Sequence, residues 1–326
     1  MRAFGYTAAT SEAAAIALAA QPGTTYLAGG TDLLNLMRDG AEQHGHLVDI
    51  NHLGLAGVTA DNGGLRIGAL ARMSQVAADP RVRRGCPVLS QALLASASPQ
   101  VRNMASIGGN LLQRTRCGYF RDPGSACNKR DPGSGCPAIE GQNRIHAIVG
   151  GSGHCIATHP SDLAVALVAL DAVVQLAGPG GPRAVPIADF HLLPGDTPDV
   201  ENVLRPGELI VRVDVPSSPL AEHSRYLKLR DRATFEFAVV SVATALRVRR
   251  RRVEDVRLAF GGIGTKPWRS RAAEDALRGR PLTADSIADA GRALVRDAVP
   301  RHDNAFKVEL VQRALTGVLS EHGGIR

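Results

Sequence analysis

The period of apolar positions changes several times along the chain, and each change marks an element. Residues 11–20 form an alanine-rich run of strong helix formers that Pro22-Gly23 ends. Residues 24–28 switch to β-branched and aromatic types, predicting a strand that runs into Gly29-Gly30. Thr31 is placed to N-cap a short helix over 32–39, which Gly40 closes. Residues 46–50 read as the next strand. A second unit begins near residue 58, with a strand at 64–68 and helical patterns near 74–78 and 87–95.

Residues 113–155 break this rhythm: they are rich in Arg, Gly, Pro, Asp, Asn and Cys and hold neither period. So long a structureless stretch inside a compact domain is uncommon and is usually functional or disordered. Regular patterning resumes at 162–170 and in the apolar run 172–177, and a strand pattern over 208–215 ends at Pro216. A boundary is expected at Ser217-Ser218-Pro219. Strands follow at 226–230, 237–249 and 253–260, then helical patterns to the end, with no internal repeat.

The length of 326 residues predicts about two domains. Hydrophobic residues at 44% and charged residues at 21% exclude wholesale disorder. No apolar run approaches the ~18 residues a bilayer span needs. The N-terminus lacks an apolar signal region, so no export signal of its own is expected. The net charge of +7 invites a nucleic-acid reading, but four lysines among 38 basic residues leave arginines spread along the chain, with one dense run at 247–252. Aromatics at 4% offer no stacking platform for single strands, so no nucleic-acid partner is expected. Anionic small ligands account for the charge more simply.

Two glycine turns carry candidate chemistry. Leu27-Ala28-Gly29-Gly30-Thr31-Asp32-Leu33 brings free backbone N–H groups to a point where glycine allows a phosphate to approach. Its spacing is not the G-x-G-x-x-G dinucleotide fingerprint. Ala105-Ser106-Ile107-Gly108-Gly109-Asn110-Leu111 adds a hydroxyl, two unhindered amides and a side-chain amide. Together the turns could grip an extended diphosphate. Two unrelated tight turns is the plainer alternative.

Four of the five cysteines, Cys117, Cys127, Cys136 and Cys155, lie in the irregular stretch with spacing C-x9-C-x8-C-x18-C. Disulfides fit poorly with an odd count and a large core. Structural zinc usually shows a tight C-x2–4-C knuckle, which is absent. An iron–sulfur cluster accepts widely spaced thiolates, and Arg114, Arg116, Arg121, Lys129, Arg130 and Arg144 would offset its charge. Cluster, zinc and unligated thiols all stay open on these residues alone. Cys86, before Pro87, reads as a small buried hydrophobe. His146, His154 and His159 read as surface or supporting groups rather than ligands.

The glycine turns resemble the two flavin-binding motifs of the FAD subunits of molybdenum hydroxylases, the xanthine dehydrogenase and carbon monoxide dehydrogenase family. The similarity continues through Pro160-Ser161-Asp162-Leu163-Ala164 and Gly207-Glu208-Leu209-Ile210. It resumes at Tyr226-Leu227-Lys228-Leu229-Arg230 and at the stretch from Gly261-Gly262 to Trp268-Arg269. Gln113-Arg114-Thr115-Arg116-Cys117-Gly118-Tyr119-Phe120-Arg121, with Cys127-Asn128-Lys129-Arg130 and Cys136, is most similar to the subunit of bacterial periplasmic aldehyde oxidoreductases. In that group the insertion carries a [4Fe–4S] cluster.

The resemblance implies an α+β chain: a two-part FAD-binding domain of the vanillyl-alcohol-oxidase-like (PCMH) type, then a smaller α+β C-terminal domain. Bounds are expected at 1–57, at 58–218 with the iron–sulfur loop at 113–155, and at 219–326. It implies that Tyr26, Leu27, Ala28, Gly29, Gly30, Thr31, Asp32, Leu33 and Leu34 wrap the FAD diphosphate, with Ser106, Gly108, Gly109 and Asn110 opposite. Asp162, Ile210 and Lys228 would line the flavin, and Cys117, Cys127, Cys136 and Cys155 would ligate the cluster. On residue chemistry alone, Asp162 reads rather as a helix-start carboxylate and Lys228 as a solvated strand lysine, and only the resemblance lifts them. Tyr119-Phe120 could shield a cofactor or simply pack the loop.

The implied function is electron transfer in a molybdenum-dependent aldehyde oxidoreductase. A molybdenum-cofactor large subunit would oxidise substrate, a [2Fe–2S] small subunit would pass electrons to FAD here, and an external acceptor would take them. This chain supplies no catalytic nucleophile or base. A hydroxybenzoyl-CoA reductase-type subunit, a free-standing flavin oxidase and a zinc-stapled scaffold are the rivals. The resemblance places the protein in the periplasm by co-export with a signal-bearing partner, with the cytoplasm as the alternative.

Overall fold

The computed structural model describes residues 1–61 and 63–323. The first unit runs β1 (Gly5–Ala8), α1 (Glu12–Ala19), β2 (Thr24–Leu27), α2 (Leu33–Asp39) and β3 (His46–Asp49). Its sheet has the order β1-β3-β2 with both pairings parallel. Ser11 starts α1 by accepting a hydrogen bond from Ala14 N at 3.1 Å, and Gly40, at φ 79°, ends α2. Thr31 does not cap α2 as expected. Asp32 holds the N-cap position and makes no side-chain capping bond, because its carboxylate is taken by residues of the 113–155 loop.

The second unit opens with β4 (Val58–Asp61) and β5 (Gly64–Gly68). A helical run follows: α3 (Met73–Ala78), α4 (Pro80–Gly85), α5 (Pro87–Ala95), α6 (Pro99–Met104) and α7 (Ile107–Leu111). The stretch 113–155 is irregular as expected, apart from α8 (Gly118–Arg121) and a 3₁₀ turn at Pro137–Ile139. Then come α9 (Asp162–Ala169), β6 (Val173–Ala177), β7 (Arg183–Pro186), α10 (Ile187–Phe190) and β8 (Leu209–Pro216). The sheet order β4-β5-β8-β6-β7 is antiparallel throughout.

The third unit contains β9 (Ser224–Leu229), β10 (Val240–Arg249), β11 (Arg252–Gly261), β12 (Trp268–Arg269), α11 (Arg271–Leu277), α12 (Ala284–Val295) and α13 (Phe306–Gly323). Its antiparallel sheet runs β12-β11-β10-β9. The expected strand start at 237 is displaced to Val240. Phe235 takes a positive φ of 52°, and Phe237 stays in the loop before β10.

All eight residues of α9 are buried, which is why its sequence shows no polar face. One core cluster contains this helix, α5 residues and the facing pair Ala243 and Ala259 of the third sheet. Small side chains there let the sheet approach α9, and Gly261 lies so near Val165 that a Cβ would stand 2.8 Å from its Cγ2. The middle and third units therefore share one interior. Cys86 belongs to it, and burial drives its thiol up to about 12.

The head of α13 ties the third unit to the irregular loop. Lys307 is fully buried, and its Nζ donates to Gly262 O at 2.7 Å and His146 O at 2.9 Å. Asn304 Nδ2 donates to Asn143 O at 3.2 Å beside it. Burial, with Arg144 nearby, pulls the Lys307 amine down to about 7. Between about 7 and the ordinary lysine value near 10.4 the unfolded chain holds a proton that the folded chain has released, so Lys307 contributes more stability as pH rises. Lys307→Met, which cannot titrate, is therefore expected to cost more at pH 9 than at pH 7, by up to ~2 kcal/mol in urea unfolding. A cost independent of pH would show that Lys307 is charged in the fold.

Candidate cofactor site

The glycine turns meet in space. Gly29 lies against the backbone that leads into the second turn: a Cβ there would stand 2.1 Å from Met104 O and 3.1 Å from Ala105 Cα. Only glycine permits that approach. Asn51 and Arg72 fasten the contact. Asn51 Nδ2 donates to Ala28 O at 3.0 Å, and Arg72 donates to Asn51 Oδ1 at 2.8 Å and to Met104 O. Gly30 turns the chain at φ 69°. Among the described residues, the N–H groups of Gly29, Gly30 and Thr31 find no protein acceptor.

The junction opens into a cleft of about 1110 Å³. Every expected cofactor residue lines it except Leu27 and Leu34, since Leu34 packs toward Gly30 instead. The second turn contributes differently from expectation. Gly108 N donates to Ala69 O at 2.8 Å and Gly109 N to Ser106 Oγ at 3.2 Å, so neither amide is free for a ligand. Asn110 Oδ1 accepts from Ser161 Oγ at 2.6 Å. These groups shape the wall, while the first turn offers open donors. Tyr26 stands at the rim, its hydroxyl donating to Gly207 O at 2.8 Å and pushed up to about 12 by burial.

At the other end lies a buried ion pair. Lys228 Nζ meets Asp162 Oδ2 at 2.7 Å, with both side chains almost wholly enclosed. Lys228 also donates to Ala95 O at 3.1 Å; Asp162 accepts from Tyr226 OH at 2.6 Å and Ser96 Oγ at 2.9 Å. Burial and the Asp162 charge push the Tyr226 phenol well up, so it stays a donor. The solvated-lysine alternative for Lys228 is thereby excluded. The pair lines the cleft together with Ile210. Sequence reading missed Tyr226 and Ser96, as it missed Asn51 and Arg72; their partners lie far along the chain.

The cysteines converge as well. Cys117, Cys127, Cys136 and Cys155 all line one small cavity with Phe120, Ala138 and His146. Cys117, Cys127 and Cys155 are buried with Leu36, Ala41 and Ala157, and all five cysteines are free thiols. A hydrogen bond from Cys155 pulls Cys136 down to about 7, and Cys155 is pushed up in return. Burial lifts Cys117 to about 11. His146 Nε2 lies 3.1 Å from Cys117 Sγ, and burial lowers this imidazole to about 4, so it is neutral. His146 thus stands beside a thiol in a supporting position, His154 is half exposed, and His159 lies against His191 with ring centres 4.2 Å apart, tilted at 58°. Among the described residues, no group of three or more His, Cys, Asp or Glu side chains is set to hold a single metal ion. No described helix is long and apolar enough to cross a membrane.

Residues 2–218 match the FAD-binding domain of molybdopterin dehydrogenases, and residues 225–322 match the CO dehydrogenase flavoprotein C-terminal domain. The chain is 50% identical over 325 residues to the aldehyde oxidoreductase FAD-binding subunit PaoB of Escherichia coli K12, covering 98% of each. It is 28% identical to the putative xanthine dehydrogenase FAD-binding subunit XdhB of the same organism, over 96% of this chain and 94% of that one. The structure of carbon monoxide dehydrogenase from Hydrogenophaga pseudoflava superposes with a TM-score of 0.75 at 26% identity, covering 96% of this chain and 95% of that one. The fold is also that of quinoline 2-oxidoreductase from Pseudomonas putida 86, with a TM-score of 0.77 over 99% and 98% of the two chains. With both halves matched in order and glycine turns meeting at one cleft, this chain belongs to the FAD-binding subunits of the molybdopterin dehydrogenase family.

Proposed function

We propose that this chain is the FAD-carrying electron-transfer subunit of a molybdenum-dependent aldehyde oxidoreductase. The observation that carries the reading is half-identity, across nearly the full length of both chains, to a subunit of such an enzyme. FAD fits the residues present. The cleft has the volume for an extended cofactor, and the unclaimed N–H groups at Gly29, Gly30 and Thr31 suit a diphosphate. When bound, FAD supplies the redox chemistry. The chain's own work is positional. Asn51 and Arg72 hold the glycine turns together, and Tyr226 and Ser96 fix Asp162. Lys228 brings a buried positive charge to the cleft wall, where it favours negative charge on a ring beside it.

The loop at 113–155 is read as the holder of a [4Fe–4S] cluster. Support comes from four free thiols around one cavity and from the cationic side chains near them; the Lys129 charge, for one, favours ionisation of Cys155. His146 would then support the cluster through the Cys117 sulfur. A molybdenum-cofactor large subunit and a [2Fe–2S] small subunit are the proposed partners, and an external acceptor the electron sink. Co-export with a partner bearing a twin-arginine signal would bring the complex to the periplasm.

An absorption spectrum of anaerobically purified protein, with iron, zinc and sulfide assays, tests the cofactor set. Flavin bands over broad iron–sulfur absorption, with about four irons per chain, are expected. Flavin without iron or sulfide would remove the cluster and keep the flavoprotein. A colourless, zinc-bearing protein unable to take up FAD would overturn the function. Gly29→Ala should overpack the turn junction by ~1–3 kcal/mol, weakening FAD binding roughly tenfold in a fluorescence titration. Unchanged affinity would place FAD away from this junction.

A further inference from the structure

Asp32 is out of place for a phosphate ligand. It follows the glycine turn and lines the cleft, yet a carboxylate beside a diphosphate is repelled. Its oxygens are already occupied. Arg114 N donates to Oδ2 at 2.8 Å, Arg121 donates to Oδ1 at 2.9 Å, and the Arg116 guanidinium binds Oδ1 as well. All three donors come from the head of the cysteine loop. The same face of α2 continues the attachment: Leu36 packs with Cys117, Phe120, Cys127 and Cys155, and Asp39 accepts from Arg121 at 3.4 Å. Residues 32, 36 and 39 are the i, i+4 and i+7 positions of one helical stripe. The segment that follows the flavin turn is therefore bound along its length to the cysteine loop.

We propose that Asp32 is a positioning residue through which the order of the cysteine loop sets the affinity for FAD. The inference rests on the assignment of FAD to this cleft. A well-ordered loop holds Asp32, and Asp32 holds the Gly29-Gly30-Thr31 turn in the conformation that presents its N–H groups. Coupling of this kind is reciprocal, so FAD in turn orders the loop.

The test is a double-mutant cycle in the full-length chain, read as the dissociation constant of FAD. Arg130→Gln loosens the loop from within, because Arg130 donates to the carbonyls of Tyr119, Phe120 and Ser125 and does not line the cleft. Asp32→Asn removes the charge that gathers the arginines. Each single change is expected to weaken FAD about tenfold, and the double variant no further than Asp32→Asn alone. Multiplying effects, or an Arg130→Gln affinity within about twofold of the parent despite faster tryptic cleavage in 113–155, would overturn the coupling. Should either variant fail to fold, the unaltered protein decides: FAD must slow tryptic cleavage within 113–155, and equal cleavage with and without FAD overturns the proposal. A parent that binds no FAD defeats the cofactor assignment itself, whereas a tight-binding parent with an indifferent loop defeats only the coupling.

Discussion

The contact of Gly29 with the Met104 carbonyl is the constraint on which the rest of the molecule depends. The first unit is a three-stranded parallel sheet that is too small to bury much on its own. It is stable because it leans on the middle unit, and it leans at the point where the backbone has no side chain. Asn51 and Arg72 convert that approach into fixed geometry, since Arg72 reaches both the strand end of one unit and the helix end of the other. Everything else in the cleft is placed relative to that junction. Tyr26 spans it to Gly207, and α7 sits behind it with its glycine amides already satisfied.

Two enclosed lysines show how the fold handles charge. Lys228 is surrounded by acceptors, with the Asp162 carboxylate at 2.7 Å and Ala95 O at 3.1 Å. Lys307 has only carbonyl oxygens for direct partners and gives up its proton near neutrality. The difference assigns them different work. Lys228 lines the cleft in its pair with Asp162, while Lys307 is a fastener that joins α13 to the end of the cysteine loop.

Where local chemistry dictates structure, the sequence was legible. Gly40 ends its helix as read, and the first glycine turn declared itself because close backbone approach at Gly29 leaves no other residue type. The fully buried α9 lies where regular patterning at 162–170 was read. Failures came where a side chain's partner is remote. Asp32 lines the cleft as its turn predicts, but its hold on Arg114, Arg116 and Arg121, 82 to 89 residues away, was not legible. Lys228 admitted a solvated reading because Asp162 is 66 residues distant. Gly108 and Gly109 were expected to offer amides, but Ala69 and Ser106 had already claimed them. The resemblance brought Leu27 and Leu34 in with the rest of the turn, and they are not among the residues that line the cleft.

The cysteine loop raises a sharper physical question: why a long irregular segment should be ordered at all. Each fixed residue loses backbone freedom, and regular hydrogen bonding is mostly absent here to offset it. Its apolar cluster is small, comprising three cysteines, Phe120, Leu36 and two alanines, with Tyr119 alongside. Ionic staples supply part of the remainder: Asp32 gathers two arginines, Lys129 pairs with Glu201 at 2.7 Å, and Arg130 threads three loop carbonyls. These partly exposed contacts are individually modest. The four thiols line a common cavity, where Cys155 donates to Cys136 and His146 Nε2 lies 3.1 Å from Cys117 Sγ. Neutral thiols can bury as small hydrophobes, as Cys86 does, whereas on the proposed reading bonds to a shared inorganic core would stabilise both the thiolates and the loop that carries them. On the proposed reading, a cluster would supply the rest of the loop's order, and the Asp32 staple would carry that order to the flavin turn.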